Sequence, residues 1–221
     1  MQEKNKILIS CLTPTIRPQY LNLTYECLKK QTFKDFEWLV DIDFPSDKFL
    51  LPKAMNRLIK RSQGEIIVHL QDCIEIPENF LEHVYNSYNG DFVTYPVGKR
   101  ESEDVKWDWR KSSLRQQKDY LNPHEWEADL AVTPRKAFFD IGGYDEAYCD
   151  GWSWDNVEVA HRASACGYKF RCDNAVAGIA IDHDKEIKHP FRNVLRNNDW
   201  RARETEMLCR IGDYKKDYLS E

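Results

Sequence analysis

Four stretches of this 221-residue chain carry side chains that could do chemistry together. Thr13, Thr15 and Arg17 follow one apolar run, Asp41 and Asp43 a second, and Gln71, Asp72 and Glu75 a third. The three stretches deliver acids, hydroxyls and one Arg to a common edge. The fourth stretch is Trp152-Ser153-Trp154-Asp155-Asn156-Val157-Glu158. An indole stacks on the apolar C–H face of a sugar while neighbouring acids accept hydrogen bonds from its hydroxyls. Five of the seven tryptophans stand at 107, 109, 126, 152 and 154, which suggests a binding surface in that segment. Plainer readings stand beside these: polar residues end strands, tryptophans fill cores, and an acid at a helix start caps it.

The elements that must position these groups can be read from hydrophobic periodicity. Apolar runs at 6–12, 36–40 and 65–70 predict strands, with a fourth short one at 91–94. Helical spacing fills about 18–30 and 51–61, and Pro77 opens a helix to about 88. Continuous apolar strands alternating with helices predict an α/β fold, a central mostly parallel sheet flanked by helices on both faces. Ligands in such sheets bind beyond the carboxyl ends of the strands, where the first three polar stretches fall. The second half is less regular. Residues 99–125 read as a polar, partly helical excursion. A strand is expected at 127–132, a short helix after Pro134, a turn at 140–146, a helix from 154 to 166 stopped by Gly167, a strand at 175–181 and a charged surface helix from 191.

Composition narrows the classes. Lys and Arg total 32 against 37 Asp and Glu, a net charge of −5 that argues against a dedicated nucleic-acid binder. With 42% hydrophobic and 31% charged residues, wholesale disorder is excluded. No apolar run approaches bilayer length, and the N-terminus lacks a signal-peptide core, so a cytoplasmic protein is expected. The seven cysteines form no C-x-x-C, which favours reduced, buried thiols over a zinc ribbon.

Taken in order, the motifs resemble those of family 2-like nucleotide-diphospho-sugar glycosyltransferases of the GT-A fold. Ile9-Ser10-Cys11-Leu12-Thr13-Pro14-Thr15-Ile16-Arg17-Pro18 is similar to their opening strand and loop. Gln31-Thr32 through Phe36-Glu37 and on to Asp41-Ile42-Asp43 resembles their Q-T-x-x-x-F-E strand ending in acids. Lys53-Ala54-Met55-Asn56 stands where the family often has x-x-R-N. Gln71-Asp72-Cys73 occupies the place of the acidic D-x-D triplet, with only Asp72 acidic. Ile141-Gly142-Gly143-Tyr144-Asp145-Glu146 is close to G-G-F-D-E. Gly151-Trp152 through Glu158, with Arg162, resembles the acceptor-side motif of galactosyl- and N-acetylgalactosaminyltransferases.

The resemblance implies a single-domain, Rossmann-like GT-A fold over 1–221. Its nucleotide-sugar-binding half would be 1–98, its acceptor-binding half 99–190 and a C-terminal helical tail 191–221. It implies donor contacts from Thr13, Thr15, Arg17, Asp41, Asp43, Lys53, Asn56, Gln71 and Asp72. Acceptor contacts fall to Trp109, Trp152, Trp154 and Asn156. A divalent Mn²⁺ or Mg²⁺ would be held by Asp72 and His183, with Lys185, Lys188 and Arg192 available to the diphosphate. The implied reaction moves a sugar from a nucleotide diphosphate, a UDP-sugar above all, to a hydroxyl of a glycan or other acceptor. Asp155 is the expected base and Glu158 the second catalytic candidate, because Asn156 cannot take a proton. Inversion is expected, though the W-x-W-D-N-x-E pattern leaves retention open. Two other classes stay in play: a non-catalytic sugar- or nucleotide-binding module of the same fold, and a nucleotidyltransferase, for which the Gly-rich basic loop is missing. Peripheral membrane association and oligomeric state are left open.

Overall fold

The computed structural model describes residues 8–43, 50–101, 104–111, 120–150 and 154–181, with 201, 204–206, 208, 209, 212 and 216–219. In chain order the first half builds β1 (Ile9–Thr15), α1 (Leu21–Lys29), β2 (Phe36–Ile42), α2 (Leu51–Arg61), β3 (Ile66–Leu70), β4 (Ile74–Glu75), α3 (Phe80–Ser87) and β5 (Phe92–Thr94). The second half adds β6 (Val97–Glu101), β7 (Asp104–Trp107), β8 (Leu130–Pro134), α4 (Arg135–Ile141), α5 (Asp155–Ala165), β9 (Phe170–Cys172) and β10 (Gly178–Ala180).

The larger sheet has the order β2-β1-β3-β8-β5-β9. The three runs expected as neighbouring strands are neighbours, with β1 parallel to both β2 and β3. β3 is buried along its whole length, so both of its faces must be covered. Alternation along β1 and β3 sorts the two faces. Cys11, Val68 and Leu70 meet Leu28 of α1 and Phe80, Leu81 and Val84 of α3. Leu12 and Ile67 meet Leu58 and Ile59 of α2, Phe138 of α4 and Val159 of α5. Truncating any one of the fully buried aliphatics to Ala costs about 2–5 kcal/mol.

β8 departs from a simple parallel reading. It runs antiparallel between β3 and β5, so one strand of the second half is threaded into the sheet of the first. It starts three residues later than the expected strand, because Glu127, Ala128 and Asp129 lie beyond the pairing with Leu70. The excursion at 99–125 is no helical insert where it is described. It holds the β6–β7 hairpin and two short 3-10 turns at Trp109–Lys111 and Pro123–Glu125. That hairpin joins β4 and β10 in a second sheet, β4-β10-β6-β7. β9 was not foreseen, and the expected 175–181 strand shortens to β10. Of the expected tail helix, 191–200 lies outside the described residues, and 204–206 are helical.

Candidate active site

β1, β2 and β3 end at one edge of the sheet, and β8 begins there because it is reversed. Asp72 stands two residues past β3 and is buried. Arg17 forks onto it, Nη2 to Oδ1 at 2.5 Å and Nε to Oδ2 at 3.3 Å. The Thr15 hydroxyl donates to the same Oδ2 and accepts the Arg17 backbone N–H at 2.7 Å. Thr15, Arg17 and Asp72, far apart in sequence, thus form one cluster. Pairing of this kind offsets the cost of burying the acid.

Asp41 and Asp43 meet a partner that the sequence reading missed. Arg57 of α2 donates from Nε and Nη2 to the Asp41 carboxylate at 2.9 and 2.6 Å, and from Nη2 to Asp43 at 3.0 Å. A signal existed: Arg57 lies one turn after Lys53 on the same exposed face of α2.

Two expected donor contacts are engaged elsewhere. Asn56 is buried, and its amide pins the turn that follows α4. Nδ2 donates to the Tyr144 carbonyl at 3.0 Å and to Glu146 at 3.1 Å, while Oδ1 accepts the Tyr144 N–H at 2.8 Å. Thr13 is also buried and accepts the Trp38 indole N–H at 3.0 Å. Both side chains help to position neighbouring parts of the edge. Lys53 and Gln71 remain exposed at the edge. Gln71 lines a cleft with Asn156, over walls that include Pro14, Leu51, Met55 and Tyr144. Trp109 is half-buried and packs against the apolar layer under α2, α4 and α5.

Asp155 opens α5. Trp154 before it adopts the left-handed region, φ 72°, a costly conformation for a bulky residue, on the order of 1–3 kcal/mol. The side chain of Asp155 is only 4% exposed. It accepts backbone N–H bonds at the helix start, from Asp155 itself and Asn156, while Oδ2 has no hydrogen-bond partner among the described residues. Burial pushes this carboxyl up to about 6 against those N–H groups, with help from the nearby Glu158 and Glu127 charges. A carboxyl of that strength can take a proton near neutral pH.

Glu158 has a different fate. It is fully buried, and both oxygens take Arg162, at 2.5 Å each, while Arg162 Nη1 reaches the Ile141 carbonyl at 2.8 Å. Both of its oxygens are occupied by a buried guanidinium, which leaves Asp155 the stronger of the two catalytic candidates.

The turn Gly142-Gly143-Tyr144-Asp145-Glu146 docks a later part of the chain. Gly142 has φ +80°, and a Cβ there would fall 1.4 Å from the Lys216 carbonyl oxygen. Lys216 N–H bonds the Ile141 carbonyl and Tyr218 N–H the Gly142 carbonyl, both at 2.9 Å. The Tyr218 hydroxyl and the Lys216 ammonium then hold Asp145, at 2.9 and 3.1 Å.

Trp152 and His183 lie outside the described residues, as do Lys185, Lys188 and Arg192. Among the described residues no three His, Cys, Asp or Glu side chains are placed to hold a metal. Asp72 spends its oxygens on Arg17 and Thr15, and its neighbours offer only an amide and a thiol that burial pushes up. A divalent cation wants several anionic or carbonyl oxygens, so the described residues around Asp72 do not fit one. No described helix is long and apolar enough to cross a membrane.

No family model matches the chain. A probable N-acetylgalactosaminyltransferase 9 of Caenorhabditis elegans is 28% identical over 194 residues, covering 72% of this chain. The chain spans about a third, 32%, of that relative's length. S. aureus TarS 1–349, solved in complex with UDP-GlcNAc, superposes with a TM-score of 0.70 at 11% identity, over 96% of this chain and 70% of its own. GalNAc-T7, solved with UDP, GalNAc and Mn²⁺, superposes with a TM-score of 0.66 at 13% identity, over 92% of this chain and 48% of its own. The resemblance carried by the motifs is therefore borne out by sequence and backbone alike, and the fold of this chain is that of the GT-A glycosyltransferases.

Proposed function

We propose that this chain transfers a sugar from a UDP-sugar to a hydroxyl of a glycan or other acceptor, with inversion. The observation that carries the reading is Asp155: a buried carboxyl with an unpartnered Oδ2, next to the cleft residue Asn156 at the carboxyl edge of the sheet. Residues 1–98 supply the donor side and 99–190 the acceptor side. The Asp41–Asp43–Arg57 group receives the nucleobase. Gln71 and Asn156 hydrogen-bond sugar hydroxyls across the cleft, and Trp152, Trp154 and Trp109 meet the acceptor.

In the reaction, Asp155 Oδ2 takes the proton of the acceptor hydroxyl. The freed oxygen pair attacks C1 of the donor sugar from the face opposite the diphosphate. The C1–O bond breaks, and its electron pair leaves with UDP. GalNAc-T7 was solved with Mn²⁺, which supports a divalent cation in this fold at large. The residues described around Asp72 do not fit one, so each step above rests on the chain's own groups. All seven cysteines are free thiols, which supports a reducing, cytoplasmic setting.

Thermal melting with UDP, UDP-sugars, ADP and GDP tests the reading. At a hundredfold excess over Kd, a native-state ligand adds about 2.7 kcal/mol. For a chain of this size that is about 5–10 °C. Uridine nucleotides should give that shift and UDP should be released when an acceptor is added. Absence of a shift with every nucleotide diphosphate would overturn the reading.

A further inference from the structure

Resting on that reading, we infer that Arg17, oriented by Asp72, neutralises the donor diphosphate, and that donor binding needs no divalent cation. The geometry is that of a built anion site. Asp72 sits behind, its side chain 3% exposed, and Arg17 sits in front, 20% exposed. Nε and Nη2 face backward onto the carboxylate, and Nη1 has no hydrogen bond among the described residues. The Tyr20 ring lies 5.6 Å from the guanidinium carbon, and the Thr15 hydroxyl fixes Asp72 Oδ2. A guanidinium held by the Asp72 carboxylate, the Cys73 sulfur and the Tyr20 ring presents its remaining N–H edge with little further loss of freedom. Its planar fork matches phosphate oxygens.

The same geometry disfavours a cation. An ion at Asp72 would have to displace a guanidinium only 2.5 Å away or share the carboxylate with it. Gln71 and Cys73 add no negative charge to compensate, since burial keeps the Cys73 thiol protonated. A diphosphate is the opposite case: it gains the outward N–H groups without breaking the pair. As the C1–O bond of the donor breaks, the electron pair passes to a phosphate oxygen, and the Arg17 N–H groups take the growing charge.

The test is calorimetric titration of the full chain with UDP and with uridine, in EDTA and again with Mn²⁺. In EDTA, UDP should bind about ten- to a hundredfold more tightly than uridine, the size expected of charge-assisted hydrogen bonds, and Mn²⁺ should change neither. Arg17→Gln alone strands Asp72 as a buried unpaired acid, so the variant is Arg17→Gln with Asp72→Asn, checked for folding by its melting curve. It should keep uridine affinity and lose the UDP preference. A folded double variant that retains the preference overturns the inference. So does a wild-type preference that appears only with Mn²⁺, a result that leaves the glycosyltransferase reading standing. Failure of UDP and uridine to bind in either buffer overturns both.

Discussion

Replacing Asp155 with Asn should make this protein more stable and less active at once. The carboxyl is pushed from 3.8 to about 6 in the folded chain, chiefly by burial. The folded state therefore binds its proton more tightly than the unfolded state does. Below about pH 4 both states are protonated and burial costs little. As pH rises past about 6 both are ionised, and the folded state carries the full penalty of a buried charge. A shift of about two units is worth about 3 kcal/mol. The helix start favours the anion, but by only about 0.3–1 kcal/mol, which is too little to reverse the sign. Asn keeps an oxygen for the backbone N–H groups of Asp155 and Asn156 and removes the charge. Urea denaturation at pH 8, 6 and 4 reads the outcome. The variant should lead the wild type by up to about 3 kcal/mol at pH 8, by less at pH 6 and by almost nothing at pH 4. UDP release per folded molecule should fall by about 10²–10⁴, and wild-type turnover should climb as pH rises through about 6. A variant that is less stable at every pH would mean that Asp155 is a helix cap, and the catalytic assignment would go with it.

Substitutions at two other positions probe what holds the site. Glu158→Gln leaves Arg162 buried without its counter-charge and should cost about 3–5 kcal/mol at neutral pH, read by thermal melting, with activity falling only as the fold is lost. Asn56→Ala removes three hydrogen bonds between α2 and the Tyr144 turn and should cost about 2–3 kcal/mol in urea, and the Asn56→Asp variant should recover less than half of that loss, because an ionised acid has no N–H for the Tyr144 carbonyl.

The parts of this fold that sequence reveals are those where one physical signal dominates. β3 reads as a strand because both of its faces are buried and it is almost continuously apolar, and β2, at the sheet edge, begins at Phe36 as periodicity predicts. α5 is bracketed by an acid at its start and Gly167 just past its end. Apart from β10, the second sheet escaped because its strands are two to five residues long and β6 carries Lys99, Arg100 and Glu101, leaving no period to count. The motifs located the Thr15–Arg17–Asp72 cluster and Asp155, but motif matching says which residues converge and not what each one holds. Arg57, Asn56 and Glu158 show the difference. Their partners lie 16, 88 and 4 residues away, and only the last of these is a spacing that local reasoning can see.

The docking of 216–219 on the Gly142–Gly143 turn also bears on how the chain is made. Tyr218 and Asp145 are 73 residues apart, so their contact closes late and at an entropic cost set by the intervening chain. During synthesis the N-terminal strands emerge first and can pair early. The turn leading towards α5 stays unclamped until residues 216–219 emerge. A nascent chain stalled before that point should show protease protection over β1–β3 but not over 142–146.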